Sequence, residues 1–370
     1  MPETRTASAS LAEGLKKIRS RHGLPGLAAA VVEGRYLTAI AVVGARVVGE
    51  PDAIALHDRF HIASCTKSIT AMLAAVLVQE GRLDWSSRLV DVVPDLRRVV
   101  RPEYQDATLE QLLAHAARFP AYTQFGPKRL EELKALPGSP TEQRLRFLVD
   151  VLSSEQANTG TGDAAYSNLG YTAAAAMMER ATRTAWEDLV LAKIFTPLAL
   201  HDVTFGWPAT AQAPDQPRGH LMIDGRLTPQ PLDDSYMLPV ALWPAGAVSS
   251  SIGDLATYAA DHLNGLRGRP ALLPQGAYQR LHRTLDGAAD GFSLGWGVRS
   301  DPKLGVVHFG AGSGGTFFVR ITVVPDRDLA GVVAANSGEA GPATREVIDA
   351  VLAGSIELHE KAGRSHAKPR

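Results

Sequence analysis

The sequence of 370 residues predicts an α+β fold, in which one mixed sheet is flanked by helices and carries an inserted helical lobe. Two observations lead to this prediction. Strand-like apolar runs occur near both ends of the chain, and the stretch from 64 to about 200 is alanine-rich, with apolar residues at helical spacing. Because strands at both ends enclose the helices, we expect the ends to form one sheet. We therefore predict a sheet domain from residues 1–63 and 240–356, and a mainly helical lobe at 64–239.

The individual elements follow from local patterns, in chain order. The first helix is expected at Leu11–Arg21, where apolar residues recur at helical spacing. The predicted strands, which are apolar runs ended by glycine or polar residues, are Leu27–Val32, Tyr36–Val43, Phe292–Val298, Val306–Phe309, Phe317–Val324 and Leu329–Ala335. Later helices are predicted at Ile252–Leu263, Ala277–Leu285 and Ala343–Ala353. Dense prolines at 206–245 predict a long irregular loop, and the basic segment 357–370 is predicted to be disordered.

Charge and composition exclude several classes of function. The formal net charge is −1 and the pI is about 6.8, which argues against a nucleic-acid or membrane-surface partner. Cys65 is the only cysteine, so an internal disulfide is ruled out and a reducing compartment is indicated. The sequence shows no signal peptide and no apolar run of the roughly 18 residues that a membrane-spanning helix needs. These features predict a cytoplasmic protein.

A serine and a lysine stand three residues apart where an extended segment turns into a helix. The segment Phe60–Lys67 leads into apolar residues at helical spacing, and Gly81 ends the helix. Ser64 and Lys67 therefore share one helix face within side-chain reach. A serine hydroxyl needs a nearby base before it is a good nucleophile, and a lysine can serve if burial lowers its pKa. The spacing predicts an active site.

Two further motifs have the chemistry and order that such a site would need. Tyr166-Ser167-Asn168 precedes a helical run about a hundred residues later, and His308-Phe309-Gly310 lies on a predicted strand before a glycine-rich turn. The three motifs together resemble those of the serine β-lactamase and penicillin-binding-protein superfamily. The resemblance is closest to the branch of AmpC-type β-lactamases, D-alanyl-D-alanine peptidases and family VIII carboxylesterases.

The resemblance extends from about residue 10 to about residue 353. Segments that match this branch, in the expected order, are Leu24–Val32, Gly81–Asp84 with Leu89–Pro94, Leu109–His115, Pro244–Leu255, Gly295–Gly297 and Val333–Ser337. It implies the β-lactamase/transpeptidase-like fold, with a largely antiparallel sheet. It also implies a small-molecule ester, amide or lactam substrate and no cofactor.

The resemblance also implies roles for individual residues. Ser64 would attack a carbonyl group, Lys67 with or without Tyr166 would take its proton, and Tyr166 would pass a proton to the leaving group. The amides of Ser64 and Ala311 would hold the oxyanion. The residues predicted to contact substrate are Asn168, His308, Gly310, Ala311, Arg118 and Phe119.

Two departures from the family pattern affect the expected substrate. Relatives usually follow the histidine at 115 with Thr-Ser-Gly-Leu, whereas this chain has two alanines followed by Arg118 and Phe119, which we expect at the rim of the site. His308 stands where β-lactamases carry a lysine, and the resemblance associates histidine there with esterases and peptidases. These departures and the missing export signal favour a carboxylesterase-type hydrolase. The alternatives are a β-lactamase or D-alanyl-D-alanine peptidase, a biosynthetic acyltransferase or peptide cyclase, and an inactive binding scaffold.

Other motifs are better explained by structure than by chemistry. Gly291–Gly295 satisfies G-x-S-x-G, but the nucleophile elbow needs a helix after the serine, and a strand is predicted there instead. Gly310–Gly315 lacks the lysine and helix of a phosphate-binding loop. The eleven histidines form no metal-binding motif, and His115 is expected to act as a structural hydrogen-bonding group. Cys65 is expected to be a buried packing residue.

Overall fold

The structure is a computed structural model that describes residues 2–161, 165–233 and 238–366. Its α-helices are α1 Pro2–Arg21, α2 Thr66–Gln79, α3 Leu89–Val92, α4 Leu109–Leu113, α5 Pro127–Lys134, α6 Pro140–Ser154, α7 Asn168–Thr182, α8 Trp186–Val190, α9 Trp243–Gly246, α10 Ile252–Leu266, α11 Gln275–Leu281 and α12 Gly341–His366. Its strands are β1 Gly26–Glu33, β2 Tyr36–Gly44, β3 Arg59–His61, β4 Val203–Phe205, β5 His220–Ile223, β6 Arg226–Pro229, β7 Val248–Ser251, β8 Gly291–Phe292, β9 Gly297–Asp301, β10 Gly305–Ser313, β11 Phe318–Val324 and β12 Leu329–Ala335.

Both ends of the chain contribute to one seven-stranded sheet, as the sequence predicts. The strand order is β2-β1-β12-β11-β10-β9-β8, and each neighbouring pair is antiparallel. The first strand pairs with the last one, so that Leu27 lies opposite Ala335. The architecture confirms the predicted α+β class with a largely antiparallel sheet.

Helices cover both faces of this sheet, which explains why β1 and β12 are nearly continuous apolar runs. Successive side chains of a strand point to opposite faces. Accordingly Ala28, Ala30 and Val32 of β1 pack in the core that contains α10, while Leu27 and Ala29 pack in the core that contains α1 and α12. A strand buried on both faces reads as a continuous apolar run rather than an alternating one.

The helix α2 passes through the middle of the molecule. Its residues from Thr66 to Ala75 are all buried, and the apolar ones belong to the main core. A helix that is buried on all sides is held by packing rather than by an amphipathic stripe. α2 contacts α7 and α9, and the short turn that precedes it contacts β10, so the start of the helix is fixed by its neighbours.

Three regions differ from the sequence prediction. The 206–245 stretch contains an ordered hairpin, β5–β6, with Asp224 and Gly225 in its turn. The predicted strand Phe292–Val298 is two strands, β8 and β9, joined by a turn around Gly295. The final helix continues to His366, so it covers most of the segment predicted to be disordered, and 367–370 lie outside the described residues.

No helix within the described ranges is both long enough and apolar enough to cross a membrane.

Candidate active site

Ser64 lies on a short 3₁₀ turn, Ala63–Cys65, between β3 and α2. Ala63 has a φ of +44°, a conformation that non-glycine residues rarely adopt. The facing strand β10 comes so close that a Cβ at Gly312 would lie 2.0 Å from the Ile62 carbonyl oxygen and 3.0 Å from the Ser64 nitrogen. The turn is therefore held in its strained conformation between α2 and β10. Backbone strain of this kind is common where the geometry serves a function.

The Lys67 side chain is buried and makes three polar contacts. Its Nζ lies 2.7 Å from the side-chain oxygen of Asn168, 2.7 Å from the carbonyl oxygen of Ala245 and 3.3 Å from the hydroxyl of Ser64. Burial lowers the pKa of Lys67 to about 7. A neutral amine has two hydrogens and one lone pair. The two closer oxygens can only accept, so they take the hydrogens and the lone pair faces Ser64.

Tyr166 reaches the same hydroxyl from the other side. Its phenol donates a hydrogen bond of 2.9 Å to the Ser64 hydroxyl, and its ring centroid lies 4.7 Å from the Lys67 nitrogen. Burial raises the pKa of Tyr166 well above its ordinary value of about 10. The phenol therefore keeps its proton at neutral pH, which makes it a hydrogen-bond donor rather than a phenolate base.

Asn168 is held by the backbone of the segment at 115–122. Its side-chain nitrogen donates to the Tyr122 carbonyl at 2.8 Å, while its oxygen accepts from Lys67. The N-cap of α7 is Ser167, whose hydroxyl accepts from the Gly170 amide and donates to the Pro120 carbonyl. Asn168 is thus free of the capping role and is oriented toward Lys67, while one of its two N–H groups is used by the protein.

The 115–122 segment itself has an unusual backbone. His115, Arg118 and Tyr122 all have φ values between +47° and +59°. Its carbonyls and one ring nitrogen bind the Ser167–Asn168 pair at four points. Strain of this kind persists only where surrounding contacts fix the conformation. We interpret the segment as the support that places Asn168 beside Lys67.

An open strand edge borders Ser64. β9 pairs with β10 only as far as Phe309, so Gly310 to Ser313 have no strand on that side among the described residues. A cavity of about 160 Å³, which we call the inner cavity, lies between this edge and Ser64. Phe309, Gly310 and Ala311 line it together with Ser64, Lys67 and Tyr166. A carbonyl substrate placed there would lie between the nucleophile and the strand.

His308 was predicted to contact substrate, but in the structure it does not line the inner cavity. Of the described residues, those that line the inner cavity do not include His308, which is 6% exposed. Its ring lies 4.5 Å from that of His282, which in turn contacts His262 at 2.8 Å. Burial lowers the pKa of His308 to about 4. The ring is therefore neutral at pH 7 and belongs to a buried histidine cluster behind the strand.

Arg118 and Phe119, both predicted at the rim of the site, lie in different environments. Phe119 is 1% exposed and packs edge-to-face on Tyr104 at 5.1 Å, so it lies in the core rather than at the rim. Arg118 is exposed and lines a wider groove of about 830 Å³. This outer groove shares His115, Phe292, Gly297 and Phe309 with the inner cavity. Of the rim pair, Arg118 alone is placed to meet a large substrate.

Several side chains at the site were missed by sequence reasoning. Phe292 and Trp296 line the inner cavity, and Gly295 lies between them with a φ of +84°. A Cβ at Gly295 would lie 2.7 Å from the Lys67 carbonyl oxygen, so only glycine allows this approach to α2. The Gly295–Gly297 match in the sequence pointed to this turn. Nothing in the sequence indicated which side chains would face Ser64.

The rejected motifs have structural explanations. Ser293 is 1% exposed, donates to the Trp296 carbonyl and lies in a turn between strands, not before a helix. Cys65 is buried, and burial raises the pKa of its thiol to about 12, so it stays protonated. Within the part of the chain that the structure describes, no cluster of His, Cys, Asp or Glu could hold a metal ion.

The fold and the serine, lysine and tyrosine in mutual contact define a class of protein, the serine hydrolases related to β-lactamases and penicillin-binding proteins. The sequence model of the Beta-lactamase family matches residues 9–354, and the chain belongs to that family. It is 28% identical over 338 residues to penicillin-binding protein 4 of Amycolatopsis lactamdurans, covering 89% of this chain and 85% of that protein. It is 26% identical to the D-alanyl-D-alanine-carboxypeptidase/endopeptidase AmpH of Escherichia coli K12, covering 84% and 79%.

Solved structures agree on the fold. SurE superposes with a TM-score of 0.75 at 23% identity, covering 95% of this chain and 76% of SurE. An octameric penicillin-binding protein homologue from Pyrococcus abyssi superposes with a TM-score of 0.74 at 20% identity, covering 93% and 77%. At these identities the likeness supports the architecture alone.

Proposed function

We propose that the chain is a serine hydrolase that forms an acyl-enzyme on Ser64, of the carboxylesterase type and acting on small esters or amides. The observation that carries the proposal is the position of the Lys67 nitrogen, 3.3 Å from the Ser64 hydroxyl, with its two hydrogens engaged by other oxygens. A pKa of about 7 leaves a large fraction of this amine neutral at physiological pH. A general base with a pKa near the working pH is the most effective kind.

The proposed reaction begins when Ser64 attacks the substrate carbonyl carbon. The hydroxyl proton passes to Lys67, and the carbonyl oxygen becomes an oxyanion held by the amides of Ser64 and Ala311. Loss of one such donor typically costs about 100- to 1,000-fold in rate. Tyr166, still protonated, donates to the leaving oxygen or nitrogen and is reprotonated from Lys67. Water then attacks the acyl-enzyme by the reverse sequence and releases the acid.

The charge around the inner cavity favours a neutral substrate. Among the described residues that line it, Lys67 is the one basic side chain other than the neutral His115, and Lys67 faces Ser64. His308, at the position of the family's lysine, is neutral and points into the core. Penicillins and peptides with a free C-terminus carry a carboxylate that such a lysine would pair with. We infer that neutral esters are better substrates, because an alkoxide also leaves more readily than an amine.

A D-alanyl-D-alanine peptidase is the second candidate. It is favoured by the names of two similar proteins, a penicillin-binding protein and AmpH, each of which the chain covers over most of its length. Transfer of the acyl group to an alcohol or amine, or cyclisation of a peptide, would use the same acyl-enzyme. An inactive scaffold is disfavoured, because Ser64, Lys67, Tyr166 and Asn168 are all in contact.

Intact-protein mass spectrometry would test the proposal. The wild type, Ser64→Ala and Ser293→Ala would each be exposed to a fluorophosphonate, to p-nitrophenyl butyrate and to benzylpenicillin. We expect a fluorophosphonate adduct and ester turnover with the wild type and with Ser293→Ala, and neither with Ser64→Ala. The Ser293 variant is a matched control, since it removes a serine from a hydrolase-like motif near the same cavity.

Each outcome has a clear meaning. Adducts or turnover that survive Ser64→Ala would refute the assignment of the nucleophile. A penicillin adduct that accumulates, together with release of D-alanine from a peptide ending in D-Ala-D-Ala, would favour the peptidase. New esters formed with added alcohols, or amides formed with added amines, would identify acyl transfer.

A further inference from the structure

His115 is held in one orientation at the site. It follows α4 in the chain and has a φ of +59°, a region in which histidine is among the better-tolerated residues. Its ring lies 4.3 Å from the Tyr166 ring at a shallow angle of 31° and meets Phe292 edge-on at 5.0 Å. The imidazole is thus packed against aromatic rings on one face and at one edge.

One hydrogen bond fixes the tautomer of this ring. The Ser167 amide donates to Nδ1 of His115 at 3.0 Å, so Nδ1 carries no proton. Burial, and then the nearby charge of Lys67, lower the pKa of His115 to about 3. The ring is therefore neutral at working pH and its one N–H is at Nε2. The backbone of the tyrosine motif thus decides which nitrogen of His115 can donate.

His115 lies where the two cavities meet. His115 lines both the inner cavity and the outer groove. Within the described part of the chain, Nε2 has no hydrogen-bond partner, and it is not one of the buried polar atoms sealed from solvent. A substrate that extends from Ser64 into the outer groove passes the residues that line both cavities, which include His115, Phe292 and Phe309.

We propose that His115 is a specificity-determining residue that donates a hydrogen bond from Nε2 to an acceptor oxygen of the substrate, a few bonds from the scissile carbonyl. The proposal rests on the hydrolase function proposed above. It names the substrate class as acyl groups with a second carbonyl or amide oxygen along the chain, in preference to plain alkanoates of the same length. A bound acyl chain shields Nε2 from water. A plain alkanoate then leaves this donor without a partner and binds less well, whereas an oxo group accepts its hydrogen bond.

Two substitutions separate this role from a purely structural one. In His115→Asn the side-chain oxygen can still accept from the Ser167 amide, but the distal donor is lost. Asparagine also tolerates a positive φ. In His115→Gln an amide nitrogen can reach the position of Nε2, while the bond from Ser167 is lost. The substrates are p-nitrophenyl 4-oxopentanoate and 5-oxohexanoate, each compared with the alkanoate of the same chain length.

The measured quantity is the ratio of kcat/KM for the oxo ester to that for the matched alkanoate, so the intrinsic reactivity of each ester cancels between variants. We expect His115→Asn to lower this ratio about three- to tenfold, the value of one neutral hydrogen bond. We expect His115→Gln to lower kcat for both esters while largely keeping the ratio. Equal losses on both esters in His115→Asn would overturn the proposal and leave a structural role. Failure of the wild type to form a fluorophosphonate adduct would instead overturn the hydrolase function itself.

Discussion

Lowering the pH from 7.5 to 5.5 should remove a large part of the protein's stability, because five buried histidines have strongly lowered pKa values. They are His61, His115, His262, His282 and His308, each no more than 6% exposed. Burial also lowers the pKa of a sixth buried histidine, His220, which acts in the same direction. Burial lowers the pKa of the first three to about 3 and that of His308 to about 4, and it places the pKa of His282 well below its ordinary value. None of the five is protonated in the native protein at pH 5.5.

The sign and size of the effect follow from proton linkage. The unfolded chain, whose histidines have a pKa of about 6.5, binds protons at a pH at which the native state does not. The contribution of each histidine to stability is therefore full above pH 6.5 and is lost as the pH falls toward the native pKa. At pH 5.5, one unit below the pKa in the unfolded chain, each histidine lowers the free energy of unfolding by about 1.4 kcal/mol. Five of them cost about 7 kcal/mol, comparable with the total stability of many domains.

Groups whose native pKa is raised oppose this loss. Burial raises the pKa of Glu179, Asp254 and Asp261, and a hydrogen bond to Asp202 raises that of the exposed His57. These groups bind protons in the native state before they do so in the unfolded chain. The net loss is therefore smaller than that of the five histidines alone, and we expect unfolding at pH 5.5 to take up about two to four protons.

Urea unfolding followed by tryptophan fluorescence at half-unit pH steps would measure this slope. His61→Gln should lower the proton uptake on unfolding by about one relative to the wild type. The reasoning is refuted if stability is constant or rises between pH 7.5 and 5.5. It is also refuted if His61→Gln has the same pH slope as the wild type.

Two further predictions concern the site. The rate of Ser64 acylation by a p-nitrophenyl ester, measured by stopped flow, should rise with pH as a single proton is lost near pH 7. The reason is that Lys67 must be neutral to act as a base. A midpoint near pH 10 would show that burial does not lower the pKa of this amine. Gly312→Ala should lower stability by about 1–3 kcal/mol and slow acylation at least tenfold, since its Cβ would lie 2.0 Å from the Ile62 carbonyl oxygen. In the control Gly126→Ala the added Cβ meets no atom within 4 Å. It should leave the acylation rate unchanged in ester assays, and urea titrations should show only the small loss expected from a poorer N-cap of α5.

The nucleophile and its base could be predicted because their relation is local. Residues three apart along helical backbone lie on the same side of the chain. The 3₁₀ turn that carries Ser64 leads directly into α2, and the Ser64–Lys67 distance agrees with this. The sheet could also be predicted, because strands buried on both faces leave continuous apolar runs such as that of β12. Tyr166 and Asn168 came from the family resemblance, since a contact across about a hundred residues has no local signature.

The sequence could not predict the direction in which individual side chains point. Val307 and His308 are both buried although they point to opposite faces of β10, because each face of the sheet is covered at that point. Phe119 enters the core because the backbone turns at Arg118, whose positive φ has no sequence signal of the glycine kind. The β5–β6 hairpin did have a signal, Asp224-Gly225, but the surrounding prolines suggested an irregular loop.

The pairing of the first sheet strand with the last has a consequence for how the chain folds. β1 lies between β2 and β12 in the sheet, and about 300 residues separate the two strands at their paired ends. A chain growing from its N-terminus holds the apolar β1–β2 hairpin for nearly the whole of its synthesis before β12 can cover its open edge. Contacts this distant in sequence are slow to form, and an uncovered apolar edge invites association with other chains. The β1 edge is therefore where a growing chain has most need of protection until its last strand is made.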